Sequence, residues 1–195
     1  MLEIEEMPIA DVINRIITLN NGLRQFWKDV EGWASIEAAQ LLSKSRLDLQ
    51  ISLSVCLKIW LLEPSPKDKD GRLILAWANL GSLVEGTMKL FLSIFYTEYK
   101  KDVEAIKNKG KIIDPDGLQL ESMRQFFRKK IWGEDWDEWI QHIQNRRNAI
   151  HAYKSRDIGT FEEFFADVRS FLKFLRYINS RLPYPEDFYM PREEE

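Results

Sequence analysis

Cysteine and histidine are scarce in this sequence, which has one Cys and two His among 195 residues. Cys56 is alone, so it has no partner for an intrachain disulfide, and this favours a reducing compartment. No set of Cys, His and carboxylate residues has the spacing of metal ligands, so we expect neither a metal nor another cofactor. Glycine-rich phosphate loops and Ser/His/Asp arrangements are also missing, which argues against the enzyme classes that depend on them.

The sequence also lacks a long uninterrupted apolar run and an excess of positive charge. Its most apolar stretch, residues 73–96, contains Asn79, Glu85 and Lys89, so we do not expect it to span a bilayer. Residues 1–6 are acidic and do not have the basic start and apolar centre of a signal peptide, so the expected location is cytoplasmic. The net charge of −3 argues against a general polyanion binder, and any nucleic-acid site should be a local basic groove.

Helical periodicity dominates the rest of the chain, in which 45% of the residues are hydrophobic and 30% are charged. Ser35 and Thr160 are expected N-caps, the latter in a capping box, and Asp135 is expected to begin a similar box. We predict an all-α, up-and-down bundle of about five to six helices in a single domain, residues 1–195. The helices are expected at about residues 9–30, 35–62, 72–100, 118–130, 136–150 and 161–182.

The predicted connections are polar and rich in proline and glycine. Residues 63–71 contain two prolines and a glycine and form a short link, which favours antiparallel packing of the flanking helices. Residues 107–117 are expected to be a loop. The core should lie within about residues 9–182, followed by an extended acidic tail over 183–195 because of its prolines.

Residues 144–153 bring together side chains suited to chemistry on a phosphodiester. This short segment contains two arginines, two asparagines, a glutamine, a histidine and a tyrosine. Arginine can hold a phosphate, and histidine can move a proton near neutral pH. On a helical wheel, Arg146 and His151 bracket an apolar stripe, with Arg147 inside it. That stripe consists of Trp136, Trp139, Ile140, Ile143 and Ile150. Spacing alone is equally compatible with a structural role for these residues. A buried arginine would then donate hydrogen bonds to carbonyl groups, and the histidine would lie at the edge of the core.

The pattern Arg146-x4-His151-x-Tyr153 resembles the R-x4-H-x-Tyr signature of the HEPN superfamily, whose members are all-α domains of prokaryotic toxins, phage-defence proteins and CRISPR effectors. The polar Asn148 also fits, as does Glu85 in an earlier long helix. HEPN motifs usually place Asn directly after Arg, whereas here Arg147 comes between Arg146 and Asn148. By spacing, Arg146 is the preferred catalytic arginine and Arg147 the second choice.

The resemblance implies a HEPN-like bundle and a metal-independent endoribonuclease, in a toxin or defence setting. The 2′-hydroxyl of RNA would attack the adjacent phosphate, with Arg146 and His151 as catalytic groups. Arg147, Asn148, Tyr153 and Glu85 would support them. HEPN proteins pair two motifs across a homodimer, which the single motif histidine of each chain would require. In toxins with a nucleotidyltransferase antitoxin, the residue corresponding to Tyr153 is a modification target.

The remaining candidates are weaker. Glu85 is also placed to be an i, i+4 partner of Lys89. A basic groove for RNA would come from residues that otherwise form a solvated charged face; these are Lys154, Arg156, Arg128 and Lys129. Two other functions compete with the ribonuclease. One is a catalytically silent HEPN module that binds a partner protein, such as a nucleotidyltransferase, or a nucleotide. The other is a helical interaction protein with an accidental motif.

Overall fold

The computed structural model describes residues 4–28, 34–132, 136–151, 155–186 and 190–194. In these residues the chain is predominantly helical, which confirms the all-α class. Helix α4, Lys69–Ile94, is the central element and contacts α2, α3, α7 and α8, while α1 packs against α3 and α8. The α-helices are α1 Ile9–Trp27, α2 Ile36–Lys44, α3 Leu47–Cys56, α4 Lys69–Ile94, α5 Tyr96–Lys101, α6 Leu120–Phe127, α7 Asp137–Arg147 and α8 Phe161–Ser180.

The number of α-helices in the described residues is eight, and the prediction of five to six was too low because two of the expected helices are each divided into two. The helix expected at 35–62 breaks at Ser45, whose hydroxyl donates to the Leu42 carbonyl at 2.6 Å and whose backbone is extended. A 3-10 helix, Leu57–Leu61, follows α3. The helix expected to reach residue 100 leaves α geometry at Phe95 (φ −91°, ψ 32°), and α5 follows.

Two further helices change pitch at their C-terminal ends. Helix α6 continues as a π-helical turn, Arg128–Trp132, and α7 tightens into a 3-10 turn, Asn148–His151. The expected loop at 107–117 contains a small antiparallel hairpin, β1 Lys107–Asn108 and β2 Lys111–Ile112. Lys109 and Gly110 both have positive φ there, as a tight hairpin turn requires.

Local sequence signals at two helix starts and one link are confirmed. The Ser35 hydroxyl accepts a hydrogen bond from the Ala38 amide, and Thr160 forms a complete capping box with Glu163. The expected box at Asp135 lies outside the described residues. The link expected at 63–71 reverses the chain but is shorter than predicted, because α4 already begins at Lys69. Leu53 contacts Asn79, whereas Ile59, later in the chain, contacts Arg72, so the two segments run antiparallel.

The core surrounds α4 and is rich in aromatic side chains. Trp27 and Trp77 are fully buried, together with Phe127, Phe164, Phe171 and Phe174. The described part of the expected tail has no helix and packs back on α1 and α8. Pro191 lies against Gly22, where a Cβ atom would come within 2.8 Å of the proline ring, and Glu193 pairs with Arg15 at 2.7 Å and with Arg176. No helix in the described residues is long and apolar enough to cross a membrane.

Candidate functional site

Helix α7 and its 3-10 extension present two polar faces to different neighbours. Trp139, His142 and Arg146 are spaced three and four residues apart and face α8 and the segment before it. Gln144, Arg147, Asn148 and His151 follow the same spacing, but they line a cleft beside α4. Because successive residues of an α-helix point about 100° apart, the adjacent Arg146 and Arg147 are directed to different neighbours.

The face toward α8 is a structural contact. The Trp139 indole donates to Asp167 at 2.8 Å, and the His142 ring lies 2.9 Å from the other oxygen of the same carboxylate. The His142 ring also meets the face of Trp77 edge-on, with 5.8 Å between the ring centroids. The contacts of His142 are therefore on the opposite side of α7 from His151.

Arg146 belongs to this structural face, although its spacing from His151 made it the preferred catalytic arginine. Its Nη1 lies 2.6 Å from Asp157, its Nη2 lies 3.5 Å from Glu163, and its guanidinium sits 5.8 Å from the centre of the Trp77 ring. The hydrogen bond from Arg146 holds the pKa of Asp157 below its usual value. Only 7% of Arg146 is exposed. The side chain thus holds the segment that leads into α8, and it does not line the cleft.

Gly159 is part of the same structural contact. Its φ of +64° lies in the left-handed region, and a Cβ atom there would come within 2.9 Å of the Arg146 guanidinium. A side chain at this position would therefore both strain the turn and displace Arg146. The position of Arg146 depends on this close approach of the backbone.

The opposite face of α7 forms one wall of an open cleft of about 510 Å³. Helix α4 forms its floor, and the segment that leads into α6 forms the other wall. The side chains around the cleft are Ala78, Ser82 and Glu85 from α4, Leu118, Gln119, Leu120 and Glu121 from the α6 side, and Gln144, Arg147, Asn148, Ile150 and His151 from α7 and its extension.

Arg147 lies across α4 at Gly81. A Cβ atom at residue 81 would be 2.6 Å from Cδ of Arg147 and 3.0 Å from its Cβ and Cγ. Because the glycine leaves this space open, the arginine reaches one turn further along α4, where its Nη1 lies 2.5 Å from Oε2 of Glu85. The contact joins two residues that are 62 positions apart in the chain.

Glu85 is shared between two cations. Its other oxygen lies 2.9 Å from the Lys89 ammonium, so the i, i+4 pair expected from the sequence exists beside the contact with Arg147. Burial by itself raises the pKa of Glu85, but the hydrogen bond from Lys89 and the charges of Lys89 and Arg147 outweigh burial and lower it. The carboxylate is therefore ionised near neutral pH, and the three groups together carry one net positive charge.

His151 is exposed at the end of the 3-10 turn and lines the same cleft as Arg147 and Asn148. Within the described part of the chain, its imidazole makes no hydrogen bond or ion pair, so both ring nitrogens are available. Ile150, which the helical wheel placed in the apolar stripe, is 46% exposed at the cleft. The wheel fails there because the chain has three residues per turn after Arg147 instead of 3.6.

Gln144 and Glu121 add an amide and a carboxylate to the walls of the cleft, and neither was among the predicted site residues. Gln144 precedes Arg147 by three residues and His151 by seven, and this spacing was the one available sign that it shares their face. Glu121 accepts from Arg124 at 3.0 and 3.1 Å, which lowers the pKa of Glu121, and Arg124 in turn pairs with buried Asp137 at 2.6 Å. Oε1 of Gln144 is buried and has no hydrogen-bond partner among the described residues.

The weaker RNA-binding candidates do not converge on the cleft. Lys129 pairs with Glu104 at 3.0 Å, and Arg128 lies 3.8 Å from Asp137. Arg156 is exposed, and none of these three side chains lines the cleft. Lys154 and Tyr153 lie outside the described residues. The structure thus joins Arg147, Asn148, His151 and Glu85 at one place and separates Arg146 from them.

In the described residues, no group of three or more His, Cys, Asp or Glu side chains is arranged to hold a metal ion. Comparisons of the chain with protein-family models, with curated proteins and with solved structures gave no match. The motif and the geometry of the cleft are therefore the features of this chain from which a function can be inferred.

Proposed function

We propose that this protein is an endoribonuclease of the HEPN type, which cleaves RNA without a metal ion in a toxin or phage-defence role. One observation carries the proposal: Arg147, Asn148, His151 and Glu85, which come from two distant parts of the chain, line a single open cleft. Cleavage by the 2′-hydroxyl needs a group that moves a proton and a cation that stabilises the extra charge on the phosphate. His151 and Arg147 are the groups in the cleft that meet these needs.

Arg147 is well placed to act on a phosphate. Glu85 contacts only Nη1, and the remaining guanidinium nitrogens make no hydrogen bond within the described residues. Since Lys89 also neutralises Glu85, the arginine keeps a net attraction for an anion. In this proposal Arg147 has the catalytic part that the motif spacing assigned to Arg146, and Arg146 holds the neighbouring chain segment in place.

The proposal includes a homodimer in which two clefts meet. One histidine cannot easily be both base and acid in the same step, and each cleft has one. The cleft is open, and Ile150, which lines it, is 46% exposed. Leu75 is 52% exposed and precedes Ala78, a residue of the cleft floor, by one turn of α4. These apolar side chains favour contact with a second copy near α7, so that two His151 and two Arg147 would face one RNA strand.

The test is cleavage of a single-stranded RNA in excess EDTA, with analysis of the product ends. We expect cyclic phosphate or 3′-phosphate ends together with 5′-hydroxyl ends. His151→Ala and Arg147→Ala should each lower the cleavage rate at least about 100-fold, the usual size of such contributions. His142→Gln is the matched control, because this second imidazole faces α8, and it should cleave like the unmodified protein.

Two results would contradict the proposal. One is activity that disappears with chelator and returns with Mg²⁺ or Mn²⁺. The other is a His151→Ala protein that folds and still cleaves RNA at the full rate. The second result would favour a catalytically silent module that binds a partner protein or a nucleotide in the same cleft.

A further inference from the structure

A second cavity, of about 340 Å³, lies on the other side of Lys89 from the cleft. It is enclosed by the end of α2, the start of α3 and the second half of α4, and its lining is mainly apolar. Leu41, Leu42, Leu47 and Leu90 supply the apolar surface. Its volume falls within the range of about 300–1,000 Å³ that is usual for small-molecule sites.

The wall of this cavity is held in place by Gln50. Its amide nitrogen donates to the Leu83 carbonyl at 2.8 Å and lies 3.3 Å from the Thr87 hydroxyl. The amide rests directly on Gly86, where a Cβ atom would collide with it. Because α3 is tied to α4 in this way, the wall of the cavity that these two helices form is held in place.

The charged groups around the cavity are mostly cationic. Its lining has three cations and one carboxylate, Asp116. Arg46 is neutralised locally by Asp48 at 2.8 Å, while the exposed Lys44 makes no ion pair within the described residues. The Lys89 ammonium lies 2.9 Å from Glu85 and donates to the Asp116 carbonyl at 3.0 Å. An apolar cavity with two ammonium groups at its edge is complementary to a small organic anion that has an apolar body.

We propose that this cavity binds a medium-chain alkyl carboxylate, with its chain against the leucines and its carboxylate at Lys44 and Lys89. Lys89 also connects the cavity to the cleft, because Glu85 lies between Lys89 and Arg147. A carboxylate that draws Lys89 into the cavity removes one of the two cations from Glu85. Glu85 then pairs with Arg147 alone and withdraws that guanidinium from a phosphate, so occupancy lowers RNA cleavage. This consequence rests on the proposed function, whereas binding in the cavity does not.

The site is tested by calorimetric titration with octanoate, using octanol and hexanoate as matched probes. We expect one octanoate per chain, bound about 15-fold more tightly than hexanoate, since each of its two extra methylenes contributes roughly fourfold when buried. Octanol should bind several-fold more weakly than octanoate because it has no charge. Leu41→Gln should weaken octanoate about tenfold, and Lys44→Gln should weaken it two- to fivefold, roughly the contribution of an exposed charge pair, without changing RNA cleavage.

The proposed site is overturned if octanoate does not bind, if octanol binds equally well, or if Leu41→Gln leaves the affinity unchanged. The connection to the cleft has its own measurement, the NMR signal of the Arg147 Nε–H group, assigned with Arg147→Lys. This signal should move when octanoate binds and should stay fixed in Lys89→Gln. A signal that does not move with bound octanoate overturns the connection, whether or not the protein cleaves RNA.

Discussion

Substitution of Gly81 directly tests how Arg147 is positioned, because a side chain at residue 81 changes the space around the arginine and leaves the proposed catalytic side chains themselves unaltered. A Cβ atom at residue 81 would be 2.6 Å from Cδ of Arg147 and 3.0 Å from Cβ and Cγ. These atoms belong to the base and middle of the side chain, which cannot move aside as easily as the guanidinium. Gly81→Ala should therefore displace Arg147 from Glu85.

The expected change in stability has two opposing parts. Alanine is favoured over glycine inside a helix by about 0.5–1 kcal/mol, while forcing an extra methyl group into a packed site costs about 1–3 kcal/mol. Gly81→Ala should thus range from neutral to destabilising by about 2 kcal/mol. Gly71→Ala is the control on the same helix, because nothing lies within 4 Å of a Cβ atom there. This change should at most raise the unfolding free energy slightly, since alanine favours the helix more than glycine does.

A double-mutant cycle measured by urea unfolding separates the two parts. In an Arg147→Ala background the contacts with Cδ and Cγ are gone and only the 3.0 Å approach to Cβ remains. Gly81→Ala should therefore lose most of its cost and range from neutral to stabilising by about 1 kcal/mol. The coupling energy should be about 1–3 kcal/mol. RNA cleavage should fall in Gly81→Ala and stay unchanged in Gly71→Ala. A coupling energy below about 0.5 kcal/mol, with full cleavage by Gly81→Ala, would refute this account of Arg147.

Two further predictions concern charge. Because the pKa of Glu85 is lowered from its usual 4.5, the ionised carboxylate stabilises the folded protein at pH values above 4.5. This contribution is lost as the pH falls through the lowered pKa of the folded state. The difference in unfolding free energy between the unmodified protein and Glu85→Gln should therefore be level above the usual value of 4.5 and shrink as the pH falls below it. A difference that stays constant below that value would contradict this prediction. For RNA binding, a local site on a chain of net charge −3 should contact on the order of two to five phosphates. The log–log salt slope should then be about −1.5 to −3.5 for a single strand, and a steep slope would indicate a broad basic surface instead.

The sequence by itself determined the features that depend on neighbouring residues. The caps at Ser35 and Thr160 and the break at 63–71 were predictable because a capping hydroxyl, a proline or a glycine acts within a few positions of the chain. Helical periodicity likewise predicted helices at the positions of α1, α4 and α8. The break at Ser45 was missed, because a serine that bonds back to a helix carbonyl is also compatible with a continuing helix.

The tertiary structure alone decided which arginine belongs to the cleft. The sequence shows Arg146 and Arg147 side by side, and the motif spacing favours the first. Their roles depend on distant partners: Asp157 and Trp77 hold Arg146, whereas Gly81 and Glu85 receive Arg147 on α4. A residue 62 positions away cannot be read from local periodicity, and neither can the space left by a missing Cβ atom. The motif therefore indicated the segment that borders the cleft, and the packing of α7 against α4 and α8 decided which of its side chains line it.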